Sequence, residues 1–322
     1  MLSPGRADRG NDFSNMLQGG VQMNTTKNKV MNPKEKTSIW VHLFFIIFGF
    51  ICIVPFMIVI SASFSGETDL AINGFSVLPR KWDFTAYAYL FKNPKTIVNA
   101  YAVTIFITAV GTFLGVVFMS MAAYCLARSN FRFTRLLTFY IFFPTLFSGG
   151  LVPSYIINTQ YLHLTDRIAA LILPTLINVF HIIMLRTFFK QLPESLFEAA
   201  KVDGASEFRI FFTIAIPLSK PVIATVSFLG ALTKWNEWYN AMLYIRSDEK
   251  VPLQYMLQRM MMNLRALLDA MQNAPSMVNI QDLPGENLRM AMLVVAIGPM
   301  MLIFPFFQKY FTRGMTVGAV KG

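Results

Sequence analysis

Between Thr37 and Gly66 the chain carries no Asp, Glu, Lys or Arg. That run is long enough to cross a bilayer, since about 20 apolar residues of helix span the roughly 30 Å hydrocarbon core. Uncharged runs recur over 96–127, 136–165, 168–185 and 290–308, and the stretch 221–245 carries only Lys234 and Glu237. The pattern predicts an all-α membrane protein with six transmembrane helices, because in lipid each segment has to satisfy its own backbone amides and carbonyls. Composition agrees, with 55% hydrophobic and 14% charged residues over a length of 322. The first run follows Lys27, Lys29, Lys34 and Lys36, as a signal peptide would. It is too long for a cleaved segment and lacks a clear small-x-small cleavage site at its end, so it reads as the first span. Residues 1–38 are polar and aperiodic and predict a disordered tail, within which Met23 or Met31 is an alternative start to Met1.

Basic residues set the expected orientation. With the N-terminus inside, 17 Lys and Arg fall on the inner side and 10 on the outer, so both termini are expected in the cytoplasm. The net charge of +11 is that of juxtamembrane Lys and Arg facing anionic lipid and calls for no nucleic acid. Cys52 and Cys125 sit in separate apolar runs and His42, His163 and His181 are scattered, so neither a disulfide framework nor a metal site is expected. No G-x-x-x-x-G-K-[ST] loop is present, so the chain cannot cradle a nucleotide phosphate that way, and no catalytic residues are assigned.

One stretch between two spans, 192–218, is too polar for the bilayer. Ser195 and Glu198 have the spacing of a capping box and predict a short helix that ends at Gly204, the residue favoured in a left-handed turn. Ser206 then caps a second turn, with Phe208, Phe211 and Phe212 expected on one face, and Pro217 opens the next membrane helix. The whole reads as a cytoplasmic helix-turn-helix lever.

The spacing Glu198-Ala199-Ala200, three residues, Gly204, nine residues, Ile214, one residue, Ile216-Pro217 resembles the EAA loop of permease subunits in bacterial binding-protein-dependent ABC importers. The one departure from EAA-x3-G-x9-I-x-L-P is Ile216 in place of Leu. A second resemblance is the ending Gly314-Met-Thr316-Val-Gly318-Ala-Val-Lys321-Gly322, which is similar to the tail of MalG-like carbohydrate permeases. The resemblance implies the six-helix fold of a type I importer permease over 39–313, with 192–218 as its coupling loop. Glu198, Ala199, Ala200, Asp203, Gly204, Ile216 and Pro217 would then contact an ATPase subunit. The tail 314–322, through Gly314, Thr316, Gly318, Lys321 and Gly322, would insert between two such subunits. It also implies a second homologous permease and an extracellular sugar-binding protein as partners, with ATP and Mg held by the ATPases and no cofactor on this chain. The cargo implied is a carbohydrate such as an oligosaccharide; a non-sugar solute, or a secondary transporter acting alone, is the alternative.

Three further features come from the residues themselves. Gly111 and Gly115 suit close packing of the second span. Pro144, Gly149, Gly150 and Pro153 break the third, which either lines the solute path or kinks for packing. In the fifth, Lys234 and Glu237 are three apart and can pair; Trp235, Asn236, Glu237, Trp238, Tyr239 and Asn240 read either as a sugar site or as an outer aromatic belt with a snorkelling lysine. The long loop 246–288 carries a Met-rich amphipathic run from Leu253 to Met262, suited to a protein partner or to the membrane interface.

Overall fold

The computed structural model describes residues 39–128, 132–273 and 285–319. The expected N-terminal tail and the last three residues of the C-terminal motif, Val320, Lys321 and Gly322, lie outside them. In chain order the helices are α1 (Ile39–Ser63), α2 (Glu67–Asn73), α3 (Thr85–Leu90), α4 (Pro94–Ala127), α5 (Thr134–Leu146), α6 (Leu151–Ile156), α7 (Ala169–Ile172), α8 (Val179–Phe189), α9 (Glu194–Val202), α10 (Glu207–Ile210), α11 (Ile216–Leu218), α12 (Lys220–Trp235), α13 (Tyr239–Tyr244), α14 (Leu253–Asn273) and α15 (Glu286–Ala319). No strand occurs among the described residues.

Residues up to Cys52 form one unit and the chain from Ile53 onward a second. In the first, the side chains of Phe44, Phe45, Ile46 and Phe50 are exposed, as those of a lipid-facing helix are. The second unit is strung along α4, whose 34 residues make a rod of about 50 Å. Toward one end, Ile97, Val103 and Ile107 pack with Leu171, Phe228, Trp235, Leu253 and Leu288. Toward the other, Met119, Tyr124 and Leu126 pack with Ile182, Leu185, Phe197, Phe211 and Val226.

The glycines of α4 let its neighbours come close, as their spacing predicts. A Cβ on Gly115 would lie 2.9 Å from the Leu176 carbonyl oxygen, and one on Gly111 would lie 3.1 Å from Cε of Lys234.

Among the described residues three continuous helices are long and apolar enough to cross a membrane: Ile39–Ser63, Pro94–Ala127 and Glu286–Gln308. Two more candidates are bent pairs, Thr134–Leu146 with Leu151–Tyr161 at 113° and Glu207–Leu218 with Lys220–Trp235 at 84°. The first break falls where Pro144 and Gly149-Gly150 place it, and Gly150 has φ +85°. The run 168–185 is not one helix. It stops after the four residues of α7, passes Pro174, and resumes as the eleven residues of α8. Likewise 221–245 is not one helix, because α12 ends at Trp235 and α13 begins at Tyr239.

At the end of α4 near Pro94, side chains tie the loops together. The Asp166 carboxylate accepts from the backbone amides of Arg246 (3.1 Å) and Ser247 (2.9 Å), from the Ser247 hydroxyl and from Lys250 Nζ (2.9 Å). These donors, the Ser247 hydroxyl foremost, hold the carboxyl well below the usual carboxylate range. The Glu67 carboxylate accepts from the amides of Gly285, Glu286 and Asn287, each at 3.1 Å, and so caps the start of α15. A Cβ at Gly285 would sit 2.5 Å from Glu67 Oε1, so a larger residue there would push the carboxylate from its place. The Met-rich run lies on α14, where Leu253, Met256, Leu257 and Leu264 are buried and Met260 and Met261 pack against the same core.

Candidate functional site

The polar stretch 192–218 folds as two short helices about a left-handed turn. Its first helix starts at Glu194, with Pro193 at the N-cap position and no side-chain cap, so Ser195 is inside the helix and the expected capping box does not form. Proline sets this boundary: it lacks an amide and its extended ψ of 126° precedes the first turn. At the other end Gly204 has φ +77°, its amide donates to Lys201 O (3.0 Å), and the Ala205 amide donates to Ala200 O (2.9 Å). This paired closure is a Schellman motif, and the glycine is what permits it. Ser206 then caps α10 as expected, its hydroxyl accepting from the Arg209 amide at 3.4 Å.

The site residues divide between an outward and an inward face. Glu198, Ala199, Asp203 and Gly204 are exposed, with Val202 beside them 88% exposed. Ala200 is buried beside Phe197 in the core, so of the two alanines only Ala199 is open to close approach. Phe211 is buried while Phe208 and Phe212 are exposed, so the three do not share a face; the π-helical turn Phe211–Ala215 breaks the 3.6-residue register there. Ile216 is half-buried against the core and Pro217 is exposed in α11. Pro221 rather than Pro217 opens the membrane helix, since the chain turns at Ser219 before α12 begins.

What seats this loop is the end of α4. The Tyr124 ring lies between Phe189, Phe197 and Phe211 at centroid distances of 6.0, 6.3 and 5.2 Å. Its hydroxyl donates to Glu207 Oε2 at 2.9 Å, while Lys201 Nζ meets Glu207 Oε1 at 2.6 Å. The Arg128 guanidinium stacks 4.3 Å from the centre of the Phe197 ring. Beside this seat is a cavity of about 390 Å³ lined by Tyr124, Arg128, Phe189, Lys190, Glu194 and Phe197. The contacts of Tyr124 and Arg128 are not legible in the EAA spacing, because both residues lie at the end of α4, with four further helices between it and the loop.

The second candidate cluster, 234–240, is split. Lys234 is 3% exposed and does not snorkel: its Nζ donates to the carbonyls of Leu171 (3.3 Å) and Ile172 (2.9 Å) and to the Thr175 hydroxyl. Among the described residues it makes no ion pair with Glu237, which is 7% exposed and accepts from the amide and side chain of Asn240 at 2.9 and 3.0 Å. Trp235 is buried, donating from Nε1 to Ala296 O at 2.9 Å. Only Asn236, Trp238 and Tyr239 remain exposed. Lysine fits this place because helix α7 stops inside the fold after four residues and its last carbonyls need donors. In the C-terminal motif, α15 runs on through Gly314, Thr316 and Gly318 to Ala319.

A helical membrane protein with broken helices and a polar two-helix element seated on a 34-residue helix has the make-up of a transport subunit. The family described as binding-protein-dependent transport system inner membrane component matches residues 111–317, and the chain belongs to that family. It is thus an ABC transporter permease subunit, which is not itself an enzyme and works with the other components of such a transporter. It is 41% identical over 277 residues to Protein LplC of Bacillus subtilis (strain 168), covering 85% of this chain and 91% of that protein. It is 38% identical over 280 residues to the polygalacturonan/rhamnogalacturonan transport system permease protein YtcP of the same organism, covering 87% and 96%. A solved bacterial ABC transporter involved in the import of the acidic polysaccharide alginate has a chain that superposes with a TM-score of 0.71 at 30% identity, covering 85% of this chain and 95% of that one.

Proposed function

We propose that this chain is one of two homologous permeases in an ATP-driven importer for oligosaccharides, with acidic, uronate-bearing chains as its substrate class. The substrate class rests on its similarity to permeases named for polygalacturonan/rhamnogalacturonan and to the alginate importer. The observation that carries the transport role is the loop 192–218, which turns Glu198, Ala199 and Val202 outward while Phe197, Ala200 and Phe211 anchor it to the core. A small residue beside a carboxylate on an exposed, anchored helix suits docking to a basic partner surface. That partner is one of two ATPase subunits, which hold the ATP and Mg; the C-terminal tail reaches the same subunits, and an extracellular binding protein delivers the sugar.

In this reading the chain crosses the cytoplasmic membrane six times, with α7 and α8 together as the fourth crossing and both termini inside. Closing of the ATPase pair moves the loop and switches the cavity between inward-facing and outward-facing states.

The test is ATP-driven uptake of a galacturonate oligosaccharide by the complete importer in proteoliposomes, with a neutral oligosaccharide of equal length beside it. Uptake that needs ATP and the binding protein, and prefers the acidic chain, is the expected result. Uptake independent of ATP would return the chain to secondary transport, and a preference for the neutral chain would overturn the substrate class.

A further inference from the structure

Glu207 stands where three helices meet. It is the first residue of α10, its Oε2 accepts the Tyr124 hydroxyl of α4 at 2.9 Å, and its Oε1 pairs with Lys201 of α9 at 2.6 Å. The two helices it joins lie on opposite sides of the left-handed Gly204 turn, the one place in the loop where φ is positive. One carboxylate therefore spans the bend and fastens both arms to the long rod.

Burial is uneven along this chain of groups. Tyr124 is buried among Phe189, Phe197 and Phe211, whereas Lys201 and Glu207 have side chains 43% and 52% exposed. An exposed ion pair is weak and easily remade; a hydroxyl held by a packed ring is not free to follow. The geometry gives a fixed end at Tyr124 and a movable end at Lys201. Arg128 repeats the arrangement one turn on, stacking on Phe197 of α9. Beyond Tyr124 the same helix reaches Lys234 at Gly111, the Leu176 carbonyl at Gly115 and the far loops, where the Thr104 hydroxyl accepts from the Leu253 amide (2.8 Å) and Asn99 donates to Glu249 O (2.6 Å).

We propose that Tyr124 and Glu207 form a latch that makes α4 follow the coupling loop, so that Tyr124 is a positioning residue for energy coupling. The proposal rests on the reading of 192–218 as a coupling loop. Without the latch the loop moves on its glycine hinge while the rod stays behind, and hydrolysis proceeds without a matching change at the cavity.

Tyr124→Phe tests it in the complete importer, since the ring and its packing are kept and only the hydroxyl is lost. Expected are unchanged assembly, thermal stability and ATPase rate, with sugar moved per ATP lower by about three- to tenfold, the factor one such hydrogen bond commands. Glu207→Ala removes the Lys201 pair as well and should lower it at least as much, and adding Tyr124→Phe to it should lower it no further, because the hydroxyl has then already lost its acceptor. Glu207→Gln keeps an acceptor for the hydroxyl and should retain most of the coupling. Spin labels at Val202 on α9 and Val98 on α4 give a readout that needs no sugar: one narrow distance distribution through the ATP cycle in the parent, a broadened one in Tyr124→Phe. An unchanged distribution, an unchanged ratio of sugar to ATP, or a fall in transport together with thermal stability would each overturn the latch. Gly204→Val separates the two levels. If it leaves coupling intact the loop reading itself falls, whereas if it uncouples and Tyr124→Phe does not, only the latch falls.

Discussion

Lys234 and Glu237 are three residues apart, both buried, and turned to different partners: the ammonium to the carbonyls of Leu171 and Ile172, the carboxylate to Asn240. The lysine acts as a detached cap for α7, supplying donors to carbonyls that Pro174 and the helix break leave without amides.

Lys234→Met should therefore destabilise the protein far more than Glu237→Gln does. The first leaves two carbonyls inside the fold unpaired, at about 1–3 kcal/mol each; the second keeps an acceptor for the Asn240 amide. Thermal unfolding in detergent ranks them, and equal losses would restore the ion-pair reading of the two residues.

Glycine at 115 is needed for a reason of space. Its absent Cβ would meet the Leu176 carbonyl oxygen at 2.9 Å, and backbone cannot step aside as a side chain can. Gly115→Ala should cost about 1–3 kcal/mol, and Gly111→Ala less, since there the neighbour is the flexible Lys234 stem. The reverse order in unfolding experiments would refute the packing assigned to α4.

At Gly204 the requirement is conformational instead. With φ +77° a side chain costs about 1–2 kcal/mol, more if β-branched. Gly204→Val should leave membrane insertion intact and uncouple hydrolysis from uptake, while Gly204→Asn, which tolerates that region, should behave nearly as the parent. Parent-like uptake by the valine variant would contradict the hinge.

Asp166 should make the loops it ties together acid-sensitive. Its carboxyl is held well below the usual range, the Ser247 hydroxyl being the largest cause, so the stabilisation it gives is present above its unfolded pKa of about 3.9 and is lost as pH falls toward the folded value. The protection of the Arg246 and Ser247 amides, taken relative to their intrinsic exchange rates, should fall as pH drops below about 4. In Asp166→Asn protection should already be reduced at pH 7 and change little on acidification; a parent-like pH response in that variant would remove Asp166 from the explanation.

Orientation can be read by chemistry. With Cys52 and Cys125 replaced, a cysteine at the exposed Val202 should react with an impermeant thiol reagent only from the cytoplasmic side, and one at the exposed Ile72 only from outside. Labelling of both from one face would mean an odd number of crossings between them has been miscounted.

The lever was legible in the sequence wherever local chemistry decides: Gly204 needs positive φ, Ser206 caps its own turn, and Gly111 and Gly115 keep a helical spacing. The start of α9 was misplaced because a capping box competed with Pro193, and an imino acid at that boundary outweighs a serine's hydrogen bond. Hidden altogether were bonds between distant segments. Tyr124 and Glu207 are 83 residues apart and Glu67 and Gly285 are 218 apart. Neither pair belongs to any periodic pattern, since each depends on two elements already being in place. Lys234 misled for the same reason: an intramembrane charge announces a polar partner, but backbone carbonyls are present everywhere in a sequence and mark nothing.

The cap of Glu67 on α15 acts along one direction. Three amides converge on a single carboxylate at the very end of a helix, so the contact resists sliding of that helix lengthwise more than turning about its axis. Mechanically it is a thrust bearing. Whatever turning α15 undergoes is set by the side chains along its flank, while its distance from α2 stays pinned, and the 34-residue helix carries that fixed height about 50 Å to its far end.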